Sequence, residues 1–411
     1  MIRRVFEQDA YADRALAGEA VDLDHRDRAL ATALTYTAVQ RRATLDHVIA
    51  ALTDRPVEKL DPPVLAVLRL GLAELLYLGG TAPHAAVNES VELAKRTSPH
   101  AAGFVNAVLR RASREGVGIL ALLDDSTPES AALAHSVPGW LASQWWEELG
   151  ADEARALLHA VNQPAESALR VNSLIARVPE VVAGLPAPSR GAPGLPEGLV
   201  LDGPFDVQGS ELWRAGAIQP QSRGSMLVSR ILDPQPGQRV LDLCAAPGGK
   251  TTHLAALMGD SGELVAVERH PGRAAALERT CARMRASCVR VEVGDAAIPR
   301  HDGVFDRILV DAPCSGLGTL QSRPDLRWRR QPEAVAELAA LQSRILAAAG
   351  QAVAPGGALV YSVCTISRAE SDDVIEAFQR EHGDFSLESR VQLLPHRDGT
   401  DGFFIARLCR A

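Results

Sequence analysis

The stretch that decides the fold is VLDLCAAPGGKTT, at residues 240–252. Its first four residues read as an apolar strand, its small residues form a turn, and we expect a helix to begin near His253. Small residues let the backbone turn sharply and approach a ligand, and the following helix presents free N–H groups and the positive end of its dipole. The stretch therefore predicts a ligand-binding loop at the C-terminal end of a strand.

Apolar strands alternate with Ala/Leu-rich helices from residue 237 onward, which is typical of a parallel sheet with helical crossovers. Residues 219–411 are therefore predicted to form a doubly wound, Rossmann-like α/β domain. The predicted strands are 239–243, 264–268, 289–293, 307–311, 358–362 and 403–408.

The N-terminal region has apolar residues at helical spacing and no alternating strand pattern. It predicts an all-α bundle at residues 1–125, with helix breaks at 61–63, 79–80 and 98–99. Residues 126–218 are predicted to be a small connecting α/β subdomain, with helices at 138–149 and 151–161 and a strand at 169–172. Gly and Pro make up 10 of the 21 residues from 184 to 204, so this segment predicts a loop.

Length and apolar content set limits on the class of protein. A chain of 411 residues implies two to four domains. The most apolar stretch, 65–78, is interrupted by Arg69 and Glu74, and no apolar core follows the basic N-terminus, so neither a membrane helix nor a signal peptide is expected. We expect a cytoplasmic protein with no membrane partner.

Six cysteines lie at 244, 281, 288, 314, 364 and 409, without a Cys-x-x-Cys pair. This spacing indicates neither a disulfide framework nor a metal site, and reduced thiols are expected.

The charge balance argues against a nonspecific polyanion binder, because the net charge is −8. One local cluster is nevertheless basic. Residues 313–330 hold four arginines against Asp325 alone, and they could be an RNA contact or a solvated helix end. The arginines are Arg323, Arg327, Arg329 and Arg330.

A rival interpretation of the glycine-rich loop is the phosphate-binding loop of a nucleotide hydrolase. Residues 249–251, Gly-Lys-Thr, end as such a loop does, and Asp311 could supply the magnesium carboxylate. However, Cys244 stands where the first glycine is required, and Pro247 lacks the N–H that a phosphate cradle needs. The loop therefore favours another ligand.

Two acidic residues favour a nucleoside cofactor. Glu268 closes the second strand, where a carboxylate can accept hydrogen bonds from both ribose hydroxyls. Asp295 follows the third strand, where it can bond an adenine amino group or simply close an Asx turn. Together they indicate a cofactor site along the strand ends.

Two thiols, Cys314 and Cys364, follow the fourth and fifth strands, at the sheet edge where ligands bind. Carbon 5 of cytosine is a weak nucleophile unless a thiolate adds to carbon 6. A pyrimidine methylase also needs an acid near ring nitrogen 3 and a group that helps remove the carbon-5 proton. Asp311 and the two thiols can supply these roles, and position alone leaves open which thiol attacks.

These motifs resemble the RNA 5-methylcytosine methyltransferases (the NOL/NOP2/Sun family) over nearly the whole chain. The N-terminal segments AVNESVELAK and FVNAVL are similar to the NusB-like RNA-binding domain of the bacterial branch that acts on small-subunit (16S) ribosomal RNA. The motifs of the catalytic part are residues 242–251 (DLCAAPGGKT), 311–316 (DAPCSG), 323–328 (RPDLRW) and 401–404 (DGFF).

The resemblance implies methyl transfer from S-adenosylmethionine to carbon 5 of one cytosine in 16S ribosomal RNA. We expect free or early-assembly RNA as the partner and a monomeric protein without metal. Cys364 is implied as the nucleophile, Cys314 as the thiol that assists release, and Asp311 as a third catalytic residue. The implied cofactor contacts are Cys244, Ala245, Ala246, Pro247, Gly248, Gly249, Lys250, Glu268, Asp295 and Asp311.

The chain departs from the family pattern at three places: Glu268 stands where Asp is commoner, Ser222 follows Gln221, and no His precedes Pro324. RNA contacts near Gln221 and Arg323 are therefore less well supported than the cofactor site. The remaining alternatives are a nucleotide hydrolase and a noncatalytic RNA-binding factor of the antitermination type.

Overall fold

The polypeptide passes between two structural units at three places. A computed structural model describes residues 1–20, 22–53, 55–299 and 303–411. The first unit consists of Met1–Gln163 and Leu320–Arg330, and the second of Pro164–Thr319 and Gln331–Ala411. We call them the helical unit and the α/β unit. The predicted boundaries at residues 125 and 218 stay predictions.

The helical unit is built from helices, as its apolar spacing predicts. The described helices are α1 (Ile2–Glu7), α2 (Ala12–Glu19), α3 (His25–Gln40), α4 (Arg42–Leu52), α5 (Pro62–Ala73), α6 (Pro83–Thr97), α7 (Ala102–Ala121), α8 (Pro128–Ala134), α9 (Gly139–Leu149), α10 (Ala151–Ala160) and α16 (Leu326–Arg329). Proline in the first turn starts α5 and α6, where its missing N–H is not needed. The predicted breaks are confirmed.

The core of the helical unit comes from the apolar faces of α4, α5 and α7. Its fully buried side chains include Leu45, Ile49, Leu68, Leu72 and Leu109. None of the helices in the described ranges is long and apolar enough to cross a membrane.

The first sheet of the α/β unit has four antiparallel strands in the order β2-β3-β1-β4. Two short helices, α11 and α12, accompany it. Their bounds are β1 (Ala168–Val171), α11 (Val178–Gly184), β2 (Ser189–Ala192), β3 (Leu195–Leu201), α12 (Glu211–Arg214) and β4 (Ile218–Pro220).

The prediction of a loop at 184–204 was wrong, because β2 and β3 form a hairpin there. Ala192 pairs with Leu195, so Pro193 and Gly194 make a two-residue turn, and Gly194 has a φ of 71°. Pro196 lies at an unpaired position of β3, so its missing N–H removes no hydrogen bond from the sheet. The prolines and glycines therefore lie where the hairpin tolerates or needs them.

The second sheet has seven strands in the order β10-β11-β9-β8-β5-β6-β7. The five strands β5 to β9 are parallel, and β11 and β10 add an antiparallel edge. The strands are β5 (Arg239–Leu243), β6 (Glu263–Glu268), β7 (Val289–Val293), β8 (Phe305–Asp311), β9 (Val353–Val363), β10 (Phe385–Leu393) and β11 (Phe403–Arg410).

All six predicted strands of this sheet are present, and β10 was missed. Helices connect the strands, as a doubly wound domain requires. They are α13 (Arg223–Leu232), α14 (Gly249–Leu257), α15 (Pro271–Arg283), α17 (Pro332–Gln351), α18 (Asp372–Glu381) and α19 (Pro395–Asp398). The strand order reverses between β5 and β8, and ligands bind at such a reversal, outside the carboxyl ends of the strands.

Candidate active site

The loop after β5 leads directly into α14. Gly248 has a φ of 101° and caps the helix, which begins at Gly249 and not near His253 as predicted. A β-carbon on Gly248 would lie 2.7 Å from Leu277 Cδ1, so both the backbone and the packing require glycine. Lys250 is consequently a first-turn residue, held at the strand ends.

Asp242, on β5 below this loop, is completely buried. One carboxyl oxygen accepts a hydrogen bond of 2.6 Å from Thr251 Oγ1, while Oδ1 has no partner among the described residues. Burial raises the pKa of Asp242 to about 7. The sequence did not single out Asp242, although the motif at 242–251 begins with it.

Lys250 and Asp311 form an ion pair, with Nζ 2.8 Å from Oδ2. Ser362 Oγ donates to the other Asp311 oxygen at 2.8 Å. Burial lowers the pKa of Lys250, but Asp311, together with Cys364 and Asp242, more than offsets this and raises the pKa above its ordinary value. Lys250 is therefore a fixed cation beside Asp311, which is the last residue of β8.

The two candidate thiols meet at the ends of neighbouring strands. Cys314 follows β8, Cys364 follows β9, and their Sγ atoms lie 3.3 Å apart. Neither cysteine forms a disulfide bond within the described ranges. The hydrogen bond with Cys364, together with burial, raises the pKa of Cys314 well above its ordinary value. The predicted position of both thiols at strand ends is confirmed.

The two acidic residues lie at the ends of β6 and beyond β7. Glu268 is 3% exposed, and its Oε1 accepts a hydrogen bond of 2.9 Å from the N–H of His270. Asp295 Oδ1 accepts from the N–H of Ala297 at 3.0 Å, so the Asx turn weighed above is present. The second oxygen of each carboxylate lies near an arginine, with Glu268 Oε2 3.6 Å from Arg273 Nη1 and Asp295 Oδ2 3.7 Å from Arg269 Nε.

Other residues of the loop are fixed by neighbours. The N–H of Ala245 donates to Val267 O at 2.9 Å, and Arg273 donates to Ala246 O at 2.7 Å. Burial raises the pKa of Cys244, which keeps it a neutral thiol. No group of three or more metal-ligating side chains is found in the described ranges.

Gln221 belongs to a buried network behind the loop. Its Oε1 accepts a hydrogen bond of 2.8 Å from Arg170 Nε, and Arg170 also donates to Thr252 Oγ1 at 2.9 Å. Arg170 is fully buried and Gln221 is 7% exposed. Gln221 therefore supports the start of α14 and is not a free side chain at the surface.

The four arginines at 313–330 do not all lie at the surface. In the helical unit, Arg327 is fully buried, and Trp328 Nε1 donates to Val39 O at 2.7 Å. Arg323 remains exposed. The acceptors of the Arg327 guanidinium are Gln40 O, Ser136 O, Val161 O, Leu320 O and Asn162 Oδ1.

A basic groove lies between α6 and α7 of the helical unit and has a volume of about 610 Å³. Asn88 and Asn106 line it, together with the exposed side chains of Arg110 and Arg114. Neither arginine forms an ion pair with a described residue, so both charges can meet an anionic ligand.

Comparisons with known proteins agree with this architecture. Models of three families match the chain: "16S rRNA methyltransferase RsmB/F" at residues 229–409, the NusB family at 1–114, and an RsmF/B-like ferredoxin-like domain at 137–208.

Two relatives and one solved structure match nearly the whole chain. "Probable ribosomal RNA small subunit methyltransferase B" of Synechocystis sp. is 37% identical over 100% of this chain and 98% of its own. Ribosomal RNA small subunit methyltransferase B of Thermus thermophilus is 37% identical over 94% and 89%. The crystal structure of PH0851 is 29% identical, with a TM-score of 0.83 over 99% of this chain and 96% of that chain.

The fold and these matches define an S-adenosylmethionine-dependent methyltransferase with a NusB-like helical region. More narrowly, the chain belongs to the RsmB/F family of 16S rRNA methyltransferases. The predicted fold class, the family resemblance and the cofactor are confirmed.

Proposed function

We propose that the protein methylates carbon 5 of a cytosine in 16S ribosomal RNA through a covalent bond between a cysteine and carbon 6. The single observation that carries this proposal is the 3.3 Å contact between the thiols of Cys314 and Cys364. The Lys250–Asp311 ion pair, also at the strand ends, provides the polar groups that an activated cytosine requires. The names of the relatives support ribosomal RNA as the substrate.

In this proposal Cys364 is the nucleophile. Its thiolate adds to carbon 6, the ring electrons move to carbon 5, and carbon 5 takes the methyl group. The Lys250–Asp311 pair, to which Ser362 also donates, faces ring nitrogen 3 in this proposal, and the proton that the pair carries stabilises the negative charge of the adduct. Cys314, in its thiolate form, then takes the proton from carbon 5 and later releases it to solvent. The carbon–sulfur bond breaks, Cys364 leaves as a thiolate, and the aromatic ring is restored.

The residues at the strand ends fit S-adenosylmethionine, which supplies an electrophilic methyl group when bound. The unpartnered oxygen of buried Asp242 matches the ammonium of the cofactor's amino acid. Glu268 fits the ribose hydroxyls and Asp295 the adenine amino group, each through the oxygen that now lies 3.6–3.7 Å from an arginine. We propose that the loop residues Cys244–Lys250 and Asp311 complete the cofactor contacts.

The target cytosine has to leave its stack to meet both thiols, at a cost of a few kcal/mol. A single-stranded loop or bulge is therefore the expected target. We propose that the groove at Arg110 and Arg114 in the helical unit holds the RNA backbone. The monomeric state and cytoplasmic location remain predictions, and light scattering and cell fractionation check them.

Calorimetric titration separates the reaction classes. We expect tight binding of S-adenosylhomocysteine without magnesium, whereas no such binding together with ATP binding would support a nucleotide hydrolase. Bisulfite sequencing of ribosomal RNA from a deletion strain identifies the modified cytosine. If no site loses methylation in that strain, the proposed substrate is wrong.

A further inference from the structure

A buried carboxylate connects the two turns that carry the thiols. Glu370 lies in the helical turn Arg368–Glu370 and is completely buried. Its Oε1 accepts from the N–H of Ser315 at 2.8 Å, and its Oε2 accepts from Ser315 Oγ and, at 3.1 Å, from Thr365 Oγ1. Ser315 directly follows Cys314, and Thr365 directly follows Cys364, so one carboxylate holds both turns.

The two turns are also joined directly, because Ser315 Oγ and Thr365 Oγ1 lie 2.9 Å apart. Gln342 fixes the other side of Cys314. Its Nε2 donates to Pro313 O at 2.9 Å and to Glu370 Oε1 at 3.0 Å. Both neighbours of Cys314 in the chain are therefore tied to the same acid.

Glu370 has no ion-pair partner among the described residues, although it is removed from water. An uncompensated buried carboxylate is costly, and hydrogen bonds must satisfy it. The four hydrogen bonds at its oxygens do so, and Tyr361 Oη adds a 2.6 Å bond to the Glu370 carbonyl. Folding stability alone does not account for a buried carboxylate of this kind, since an apolar residue of similar volume often stabilises a fold at least as well.

We propose that Glu370 is a positioning residue that sets the spacing of Cys314 and Cys364 for methyl transfer. The inference rests on the proposed function for the reaction, but its geometric part is independent of the substrate. Misplacing reacting groups by about 1 Å can lower a rate about 100-fold. Loss of the carboxylate therefore lowers kcat without changing the cofactor site.

The test compares Glu370→Ala, Glu370→Gln and a control, Glu381→Ala, which removes an exposed carboxylate at the end of α18. Glutamine keeps the acceptor for Ser315 N–H, and its amide can donate to the two hydroxyls, so it preserves the connection. We expect kcat to fall about 100-fold in Glu370→Ala and to stay within about 3-fold in Glu370→Gln. The KM for S-adenosylmethionine and the Kd for S-adenosylhomocysteine should be unchanged in all three.

Thr365→Val provides a milder variant if Glu370→Ala does not fold, since it removes one hydroxyl at nearly constant volume. An intermediate fall in kcat is expected for it. A wild-type kcat in either Thr365→Val or folded Glu370→Ala would overturn the proposal, as would a loss in Glu370→Gln as large as that in Glu370→Ala.

A second readout needs no RNA. Diamide accepts two electrons and two protons from Cys314 and Cys364 and leaves a disulfide between them, whose rate of formation reports the thiol spacing. We expect slower formation in Glu370→Ala than in wild type and Glu370→Gln, and equal rates would overturn the positioning role. If wild type forms no methylcytosine, the proposed function fails while this comparison still decides the role of Glu370.

Discussion

Cys314 and Cys364 are 50 residues apart in the chain, yet their Sγ atoms lie 3.3 Å from each other. Adjacent parallel strands, β8 and β9, end side by side and deliver the two turns to the same place. A planar base that reaches one thiol is therefore within reach of the other. This contact makes a division of labour between the thiols possible.

The two thiols should fail in different ways when removed. Cys364→Ala should bind cofactor normally, methylate nothing and form no covalent RNA complex, because no carbon-6 adduct can form. Cys314→Ala should accumulate protein covalently joined to methylated RNA, because release is slowed. A denaturing gel with labelled RNA measures both. A shifted band in Cys364→Ala but not in Cys314→Ala would reverse the assignment, and leave the reaction class intact.

Asp242 should make the stability of the cofactor-free protein depend on pH. Its folded pKa of about 7 lies above the ordinary value of about 3.9. The contribution of protonated Asp242 to the free energy of unfolding is therefore fully present below about pH 4 and is lost as the pH rises through 7. Asparagine cannot ionise, so Asp242→Asn removes this loss. The Tm of the variant minus that of wild type should therefore increase by about 5 °C from pH 5 to pH 8. A Tm difference that is flat across this range would contradict the prediction.

Cofactor affinity should depend on the ionisation of the same carboxyl group. The ammonium of S-adenosylhomocysteine attracts the ionised form of Asp242, so binding should tighten as the pH rises from 6 to 8. Asp242→Asn should bind more weakly and with little pH dependence. Calorimetry at three pH values measures this, and equal pH slopes for the two proteins would exclude Asp242 as the partner of the ammonium.

The groove of the helical unit should contribute to RNA affinity. Arg110→Glu combined with Arg114→Glu should weaken RNA binding about 10-fold or more, and should lower the salt slope by about 2 if both side chains contact phosphates. Arg26→Glu combined with Arg96→Glu is the matched control, since it makes the same charge change at two exposed positions of the helical unit outside the groove. Filter binding at several salt concentrations provides the measurement; equal losses in control and groove variants would argue against this surface.

Gly318 should be intolerant of any side chain. Its N–H donates to Cys364 O at 3.0 Å, its carbonyl accepts from the N–H of Gly402 at 2.8 Å, and a β-carbon would lie 2.0 Å from Gly402 O. Gly318→Ala should displace the Cys364 turn, lower the free energy of unfolding by about 1–3 kcal/mol and abolish most methylation. Gly272→Ala, where a β-carbon meets nothing within 4 Å, is the control. Both variants should be compared by urea unfolding and by methylation rate, and a fully active Gly318→Ala protein would refute the expectation.

Arg327 should contribute to folding stability and should not contact RNA. Arg327→Ala leaves buried acceptors unsatisfied and should lower the free energy of unfolding by about 3 kcal/mol or more, since each such group costs about 1–3 kcal/mol. Arg323→Ala, at the exposed position of the same segment, should change stability by less than about 0.5 kcal/mol. Urea unfolding of both variants measures the difference. Equal and small effects would show that the buried bonds contribute little.

Local sequence pattern predicted the parts of the fold that depend on neighbours in the chain. Apolar runs between breakers located six strands of the large sheet. It failed for the hairpin at 189–201, because the tolerance of Pro196 depends on the strand opposite it. It missed β10, a partly exposed edge strand with charged residues, even though residues 385–393 alternate with period two.

The site shows the same limit. Motif position indicated Cys314, Cys364 and Lys250, since these residues occupy strand ends or the glycine-rich loop. Glu370 was not found, because its importance comes from hydrogen bonds to residues 50 or more positions away and five positions away. For Asp242 a signal existed, an acidic residue inside an apolar strand, and such a residue is rarely buried without a reason.

The helical unit cannot be completed early during synthesis. Its last segment, Leu320–Arg330, leaves the ribosome about 155 residues after Gln163, and it brings the Arg327 and Trp328 side chains. At about 5–20 residues per second the delay is about 10–30 s. During that interval the carbonyls of Gln40, Ser136 and Val161 lack the guanidinium that they meet in the finished protein. The nascent N-terminal helices should therefore stay sensitive to protease until residue 330 has emerged, and then become protected in one step.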